Sequence, residues 1–506
     1  MSKKKIVIVG GGTAGLLVAE NLKHRFDVVV LEKSKITKTP LLNRIPLLIG
    51  PLYRKKALKY VRKMEVVAQR GRLIPFFESC VLGGASVING CVHALGSKSR
   101  WDIELQRFSL GFDEVTKAYE EIYTKRTFCL RKKIKLRFAP QNTLDRSFFR
   151  ALEKLGFPET GLLSANNSGF GAVINTAGLF FRSSVLSVMG KRKLKIYTGE
   201  YVNQIRRTKN KQFEVISKSN NYLADYVILC SGVIGTNSLF LSKHISEIDD
   251  DYLREHNVGL SVRDHSNVRL NVRSSKSFGS LNEINEQFLK KFYILAKHLL
   301  GLNTLLQGTG ATSGVHLDLD GDGIVDTRIH VLQFSETGRH KSDGKDFCPG
   351  PGFSLSITPI KTMSSGKIVL DESGAPVIDP GYFSEQADLK LMKSALLFCL
   401  NLLNSEQMSE YVEEIQDYEL AKNDAETYIK KTFFSGHHLI GGCAHLVDEN
   451  FEVRAHSGIF ICDASVFSEF VSSNIHAPVI LLAKLFSDKF LRRTASNING
   501  VKNARV

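Results

Sequence analysis

Apolar residues along the chain follow two different spacings. Ile6-Val7-Ile8-Val9 is a continuous apolar run, the pattern of a short strand buried on both faces. Leu16 to His24 carries apolar residues near helical spacing, and Asp27 to Leu31 is again a continuous run. Phe112 to Lys125 and Asn142 to Leu155 read as amphipathic helices, the second capped by Asn142 or Thr143. Lys193 to Tyr197 reads as a strand. Val202 to Arg206 and Gln212 to Ser217 read as a hairpin about Thr208-Lys209-Asn210, and Tyr226 to Cys230 as another buried strand. From residue 266 to about 425 the spacing shifts to alternation, in Val268 to Val272, Val315 to Leu319, Thr327 to Phe334, Gly352 to Ile357 and Lys367 to Leu370. Period two predicts an antiparallel sheet with one face covered. A helix, Ala387 to Leu403, follows. The pattern therefore predicts an α/β unit and a second region built on a large antiparallel sheet.

Glycines make the first unit specific. Between the strand Ile6–Val9 and the helix stands Gly10-Gly11-Gly12-Thr13-Ala14-Gly15, which holds the G-x-G-x-x-G spacing, and the second strand ends on Glu32. Such glycines allow a tight turn and a close backbone approach to a pyrophosphate at the positive end of a helix. An acid at the second strand end can accept hydrogen bonds from an adenosine ribose. The whole strand, turn, helix, strand and acid context predicts dinucleotide binding; it suits FAD as well as NAD. Lys33 and Ser34 follow Glu32 with no Arg, so a 2′-phosphate is not specifically invited.

Length and charge bound the rest. With 506 residues and 43% hydrophobic content, the chain can bury a large core and suggests two domains. Its net charge of +17 is clustered. Arg54, Lys55, Lys56, Lys59, Arg62, Lys63, Arg70 and Arg72 face one acid, Glu65; Lys125, Arg126, Arg131, Lys132, Lys133, Lys135 and Arg137 face none. No nucleic-acid motif accompanies them, so no nucleic-acid partner is expected. A solvated basic surface is the simpler reading, and peripheral contact with an anionic membrane the alternative. Pro40 to Pro51 is greasy and proline-broken, fit for a lid, an entrance loop or a membrane-touching segment, and a basic helix-like run follows it. Eight cysteines without CxxC spacing read as reduced, and the first apolar run is too short for a signal sequence, so a cytoplasmic protein is expected. No apolar run has the length of a membrane span.

Candidate chemistry lies near the end. Phe434-Ser435-Gly436-His437-His438-Leu439-Ile440-Gly441-Gly442-Cys443 sets a His ahead of a double Gly. Asp463-Ala464-Ser465 and Ser473-Asn474-Ile475-His476 follow. An earlier segment, Leu82-Gly83-Gly84-Ala85-Ser86-Val87-Ile88-Asn89-Gly90-Cys91, is dense in small residues, as expected of backbone wrapped around a flat or charged ligand. Together with Val258-Gly259 leading to Asp264-His265, these stretches resemble the signatures of the glucose–methanol–choline (GMC) oxidoreductase family, in its order and spacing over nearly the whole chain. Ala85 stands where the family pattern has a first Ser, and Gly442 where many members have Thr.

The resemblance implies a GMC-type fold: a Rossmann-like FAD-binding domain from residues 1–130, 185–265 and 430–495, a substrate domain from 131–184 and 266–429, and a tail at 496–506. It implies FAD contacts from Gly10, Gly12, Thr13, Ala14, Gly15, Glu32, Gly83, Gly84, Ser86, Asn89, Gly90, Val202, Ser231, Asp463 and Ala464, with the last two offering backbone groups. Ile88 stands where some members attach FAD through a His, so non-covalent FAD is implied. It also implies an alcohol substrate and oxygen or a quinone- or dye-type electron acceptor. The chemistry suits the residue types. His438 can take the hydroxyl proton, the flavin N5 the hydride, and Asn474 can donate to the developing alkoxide without titrating. His437 is the base if the turn is read one residue out of register, and His476 is a candidate for the pocket wall; His265 is expected to be structural. A non-redox or photochemical lyase on the same scaffold is the alternative function. Asp318 to Asp326 resembles a calcium loop but has Ile329 where a bidentate Glu is required, so a hairpin turn and no metal are expected.

Overall fold

The computed structural model describes residues 3–48, 59–68, 71–126, 132–190, 194–246, 248–337, 347–454 and 456–503. Among them, five strands form a parallel sheet in the order Ile459–Ile461, Tyr226–Leu229, Lys5–Val9, Asp27–Glu32, Lys195–Thr198. The first strand is central, pairing Val7 with Val227 on one side and Val29 on the other. Ile6 to Val9 are buried, as a central parallel strand with both faces covered requires. Helix Thr13–Leu22 packs on one face, against the long C-terminal helix His476–Asn503. That helix runs without a break through residues 496–503, so the expected tail begins as helix. The core around the sheet gathers Trp101 and a stacked Phe108–Phe451 pair, ring centroids 3.9 Å apart.

The second region is a seven-stranded antiparallel sheet. Its order is Glu414–Ile415, Ser266–Arg273, Gly352–Pro359, Thr327–Leu332, Ala311–Leu317, Gly169–Ala172, with Phe434–Ser435 paired to the start of Ser266–Arg273. Its register explains the alternation. One row runs Val268, Ile357, Ile329, Val315, Phe170 and faces the apolar core shared with helix Gln386–Leu403. The adjacent row runs Arg269, Ser356, His330, Gly314 and faces the other way. Burying each aliphatic side chain of the first row is worth about 1.5–3 kcal/mol. A slip by one residue would move that row out of the core and bring the polar one in. The sequence pattern predicts one covered face. In fact Ala311–Leu317 and Thr327–Leu332 are buried throughout, because the polar face roofs an internal cavity.

Local differences have physical causes. The basic helix-like run is, where described, a strand: Val61–Val67 pairs with Leu73–Ser79, its β-branched valines favouring the ladder over a helix. Arg54, Lys55, Lys56, Arg70 and Arg131 lie outside the described residues. The hairpin loop 318–326 joins two antiparallel strands. Its carboxylates are engaged locally: Asp318 accepts from the amides of Gly321 and Gly323, Asp326 from those of Leu319 and Asp320, and Lys361 bridges Asp320 and Asp322. Among the described helices none is long and apolar enough to cross a membrane.

Candidate active site

One cavity of about 950 Å³ runs between the two sheets, and its two ends are built differently. At the parallel-sheet end the wall is backbone. Gly10 has φ +111°, and a Cβ there would lie 2.3 Å from the carbonyl oxygen of Cys230. A Cβ on Gly15 would lie 2.0 Å from the carbonyl oxygen of Gly10, so helix and strand touch there. Gly12 caps the helix without a side chain, and a Cβ on it would meet nothing within 4 Å. No acid stands in the first helical turn, so its free amides keep their positive end. Thr13 Oγ1 is buried with no hydrogen-bond partner. An orphaned hydroxyl, an uncapped helix start and an open glycine fit a pyrophosphate.

Glu32 is buried, its oxygens accepting the amides of Gly11 and Ser34, each at 2.8 Å. Burial holds its pKa above the usual carboxylate value, against those hydrogen bonds. Asp463 accepts from the amides of Gly232 (2.9 Å) and Ser465 (2.9 Å) and from Thr236 Oγ1 (2.6 Å), so its carboxylate serves the protein. The small-residue segment lies over the glycine turn: Gly83 donates to Gly11 O at 2.9 Å, and a Cβ on Gly84 would sit 2.9 Å from Gly12 Cα. Of the residues expected on the cofactor, Gly10, Gly12, Thr13, Ala14, Glu32, Gly84, Asn89, Gly90, Val202, Ser231, Asp463 and Ala464 line the cavity. Gly15, Gly83 and Ser86 stand one layer behind. Gly15 is consumed by helix–strand packing, while Gly83 and Ser86 close the turn by a 2.6 Å bond from Ser86 Oγ to Gly83 O.

At the other end the wall is side chain. Phe434–Ser435 joins the antiparallel sheet, and the next residues turn sharply onto Asp264-His265. Gly436 donates to His265 O at 2.7 Å and His438 donates its amide to Asp264 Oδ1 at 2.7 Å. Ser435 and Tyr382 also donate to Asp264, whose pKa burial pushes up to about 6. Gly441 and Gly442 both have φ +91°; Cβ atoms there would strike Ser261 O and Asn237 Oδ1, each at 2.3 Å. The double Gly thus permits the close seating that aims His438. Asn474 comes from a loop whose Val471 carbonyl accepts from Ser97 at 2.9 Å.

The two meet. Asn474 Nδ2 lies 3.0 Å from His438 Nε2, and His438 Nδ1 lies 3.0 Å from His265 Nδ1. Asn474 Oδ1 accepts from Arg328 Nη1, which fixes the amide with its NH₂ toward the histidine. His438 Nε2 is then an acceptor, Nδ1–H donates to His265, and the histidine is neutral. Burial first, then Arg328 and His437, hold its pKa down at about 3, so a lone pair stands ready at neutral pH. His265, itself buried and stacked on Phe470 at 3.7 Å, is also held well below the usual value, by burial first and then by His438 and Arg328.

His437 has φ +59° and packs between Phe76 and Phe77, with centroids at 5.1 and 5.5 Å, away from Asn474's hydrogen bonds. His476 lines the cavity; burial and Arg182 lower its pKa to about 4. Sequence reasoning missed Arg328 and gave His265 no part beside His438. Arg328 and His330 are two apart and alternate with Ile329 and Val331, a polar face within a buried element, and that was the available signal. Asn89 Oδ1 is held by Arg182 at 3.0 Å, another contact between distant segments.

A family model described as GMC oxidoreductase matches residues 362–483. The oxygen-dependent choline dehydrogenase of Vibrio vulnificus (strain YJ016) is 25% identical over 96% of this chain and 94% of its own length. The pyridoxine 4-oxidase structure from Mesorbium loti superposes with a TM-score of 0.79 at 18% identity, covering 97% of this chain and 99% of that one. A formate oxidase structure gives 0.82 at 17% identity, covering 98% and 100%. Fold and cavity together define an FAD-binding oxidoreductase. Residues 362–483 match the GMC oxidoreductase family model, and nearly the whole chain is similar to the choline dehydrogenase above and shares the fold of the two oxidases. Ile88, beside Asn89, offers no nucleophile, which accords with FAD held non-covalently.

Proposed function

We propose that this protein oxidises an alcohol to a carbonyl compound, with His438 as base and Asn474 as the group that holds the alkoxide. The reading rests on one observation: His438 Nε2 and Asn474 Nδ2 converge within 3.0 Å on the cavity wall. When bound, FAD accepts the hydride, the step no side chain here can perform. The substrate hydroxyl comes to His438 Nε2 in place of the Asn474 amide and gives up its proton there. Asn474 turns one N–H to the alkoxide as charge develops, worth about 10²–10³-fold in rate for a single well-placed donor. Its Oδ1 remains held by Arg328, so little reorganisation is needed. His265 accepts from His438 Nδ1 and keeps the ring in the tautomer that leaves Nε2 free. The backbone wall of the other end, from Gly10 to Ala14 and Gly84 to Gly90, is proposed to hold the FAD.

The test is anaerobic mixing of the purified holoenzyme with a panel of primary and secondary alcohols while the flavin absorbance is followed. Bleaching by at least one alcohol, with the matching aldehyde or ketone formed, is expected. Failure across the panel, with a hydroxy acid or cyanohydrin cleaved instead, would replace oxidation with lyase chemistry. Comparing oxygen uptake with dye reduction then assigns the electron acceptor.

A further inference from the structure

Among the described residues, Arg328 is a buried cation without a counter-ion. It is 5% exposed and lines the cavity beside His438, Asn474 and His330. One of its nitrogens donates to Asn474 Oδ1, a neutral acceptor, and its Nε has no partner. Burial lowers its pKa only to about 10, so it stays charged at neutral pH. Arg269, on the same sheet face, makes the contrast: buried Glu336 pairs with it. No acid pairs with Arg328 among the described residues, and the carboxylates lining the cavity are committed elsewhere. Glu32 and Asp463 accept backbone amides, Glu78 pairs with Lys33 and Arg62, and Glu200 accepts from Ser217 and Asn220. A desolvated guanidinium is costly unless an anion meets it, and its fork geometry matches a carboxylate. A cationic alcohol such as choline would find no countercharge here.

We propose that the alcohol substrate carries a carboxylate and that Arg328 binds it. The proposal rests on the alcohol-oxidation reading above. Three proteins are compared, each as FAD-loaded holoenzyme: wild type, Arg328→Met and Arg328→Lys. Benzoate binding is read from the flavin difference spectrum, and kcat/KM is measured for 4-(hydroxymethyl)benzoate against 4-methylbenzyl alcohol. Benzoate affinity and the charged-to-neutral kcat/KM ratio are both expected to fall about 10–100-fold in Arg328→Met, with Arg328→Lys in between. If Arg328→Met does not retain flavin, Arg328→Lys alone must lower both. A wild type that prefers the neutral alcohol, or a ratio unmoved by substitution, overturns the proposal while alcohol oxidation stands. Arg328-dependent benzoate binding with no flavin reduction by either alcohol keeps the anion site and removes the oxidation reading.

A second observation is independent of the site. Helix Phe288–Leu299 has one buried residue, His298, which pins it through Phe180 O (2.9 Å) and Thr304 Oγ1 (3.3 Å). Phe288, Leu289, Phe292, Leu299 and Leu300 are 65% to 81% exposed. Apolar faces of this kind mark an interaction surface, and Lys291 and Lys297 interleave with them on a chain of net charge +17, while Lys290 pairs with Glu283. We infer that this helix docks on an anionic lipid surface, its apolar side chains inserted and its lysines at the headgroups. The test is co-sedimentation of the holoenzyme with phosphatidylcholine vesicles with and without 30% phosphatidylserine, for wild type and Phe288→Glu/Leu289→Glu. Binding to the phosphatidylserine vesicles that falls at least tenfold in the variant is expected. No vesicle binding would overturn the proposal, and a wild-type dimer that the variant splits would assign the face to a protein contact instead.

Discussion

The two ends of the cavity work by different means. At the parallel-sheet end the wall is backbone and bare glycines, drawn mostly from residues 10–14 and 84–90. At the antiparallel-sheet end the wall is side chains from residues 328, 438 and 474, with His265 behind His438, and these meet only in the folded chain. A backbone site needs local conformation, which a short motif encodes. A side-chain site needs register across a sheet, which no short motif can encode.

Gly12→Val tests the backbone end and should have the largest effect. The open space about Gly12 leaves the fold untouched, whereas the branched side chain enters the ligand's path. Purified protein should melt like flavin-stripped wild type yet hold no measurable FAD by absorbance. A variant that binds FAD normally would mean the turn does not approach the cofactor. Asn474→Ala tests the side-chain end. It should lower the rate of anaerobic flavin reduction about 10²–10³-fold and keep FAD bound. His265→Phe preserves the stack on Phe470 but removes the acceptor of the His438 proton, and should slow reduction about tenfold. Smallest is the pH effect of Arg328→Met. Arg328 lowers the His438 pKa, which stands at about 3, so its loss raises that pKa and moves the acid limb of kcat/KM to higher pH. The limb reports protonation of the free base, so wild-type kcat/KM should be flat from pH 4 to 8 while the variant bends downward at the acid end of that range; a variant as flat as wild type would contradict the assignment of His438.

This contrast explains what the sequence could tell. Continuous apolar runs at 6–9, 27–31 and 226–230 became neighbours in one parallel sheet, and five alternating segments became strands of antiparallel sheets, four of them in the large one. Asn142 is the cap, accepting from the Asp145 amide at 3.2 Å. His438 and Asn474 were legible because a glycine pair and a small-residue loop flank them. Arg328 was not: inside an alternating strand a charged residue reads as solvent-facing, and only the cavity makes that face an interior. The exposed helix Phe288–Leu299 escaped for the opposite reason, since apolar residues are ordinarily assigned to a core.

The central claim is that His438 and Asn474 act as one unit, and a double-mutant cycle on anaerobic flavin reduction tests it most directly. His438→Ala should cost about 10²–10⁴-fold with FAD retained, and Asn474→Ala about 10²–10³-fold. If the pair is one device, the double variant should be about as slow as His438→Ala alone. Rate losses that simply multiply would mean the two residues act independently, and an unaffected His438→Ala would mean the base lies elsewhere.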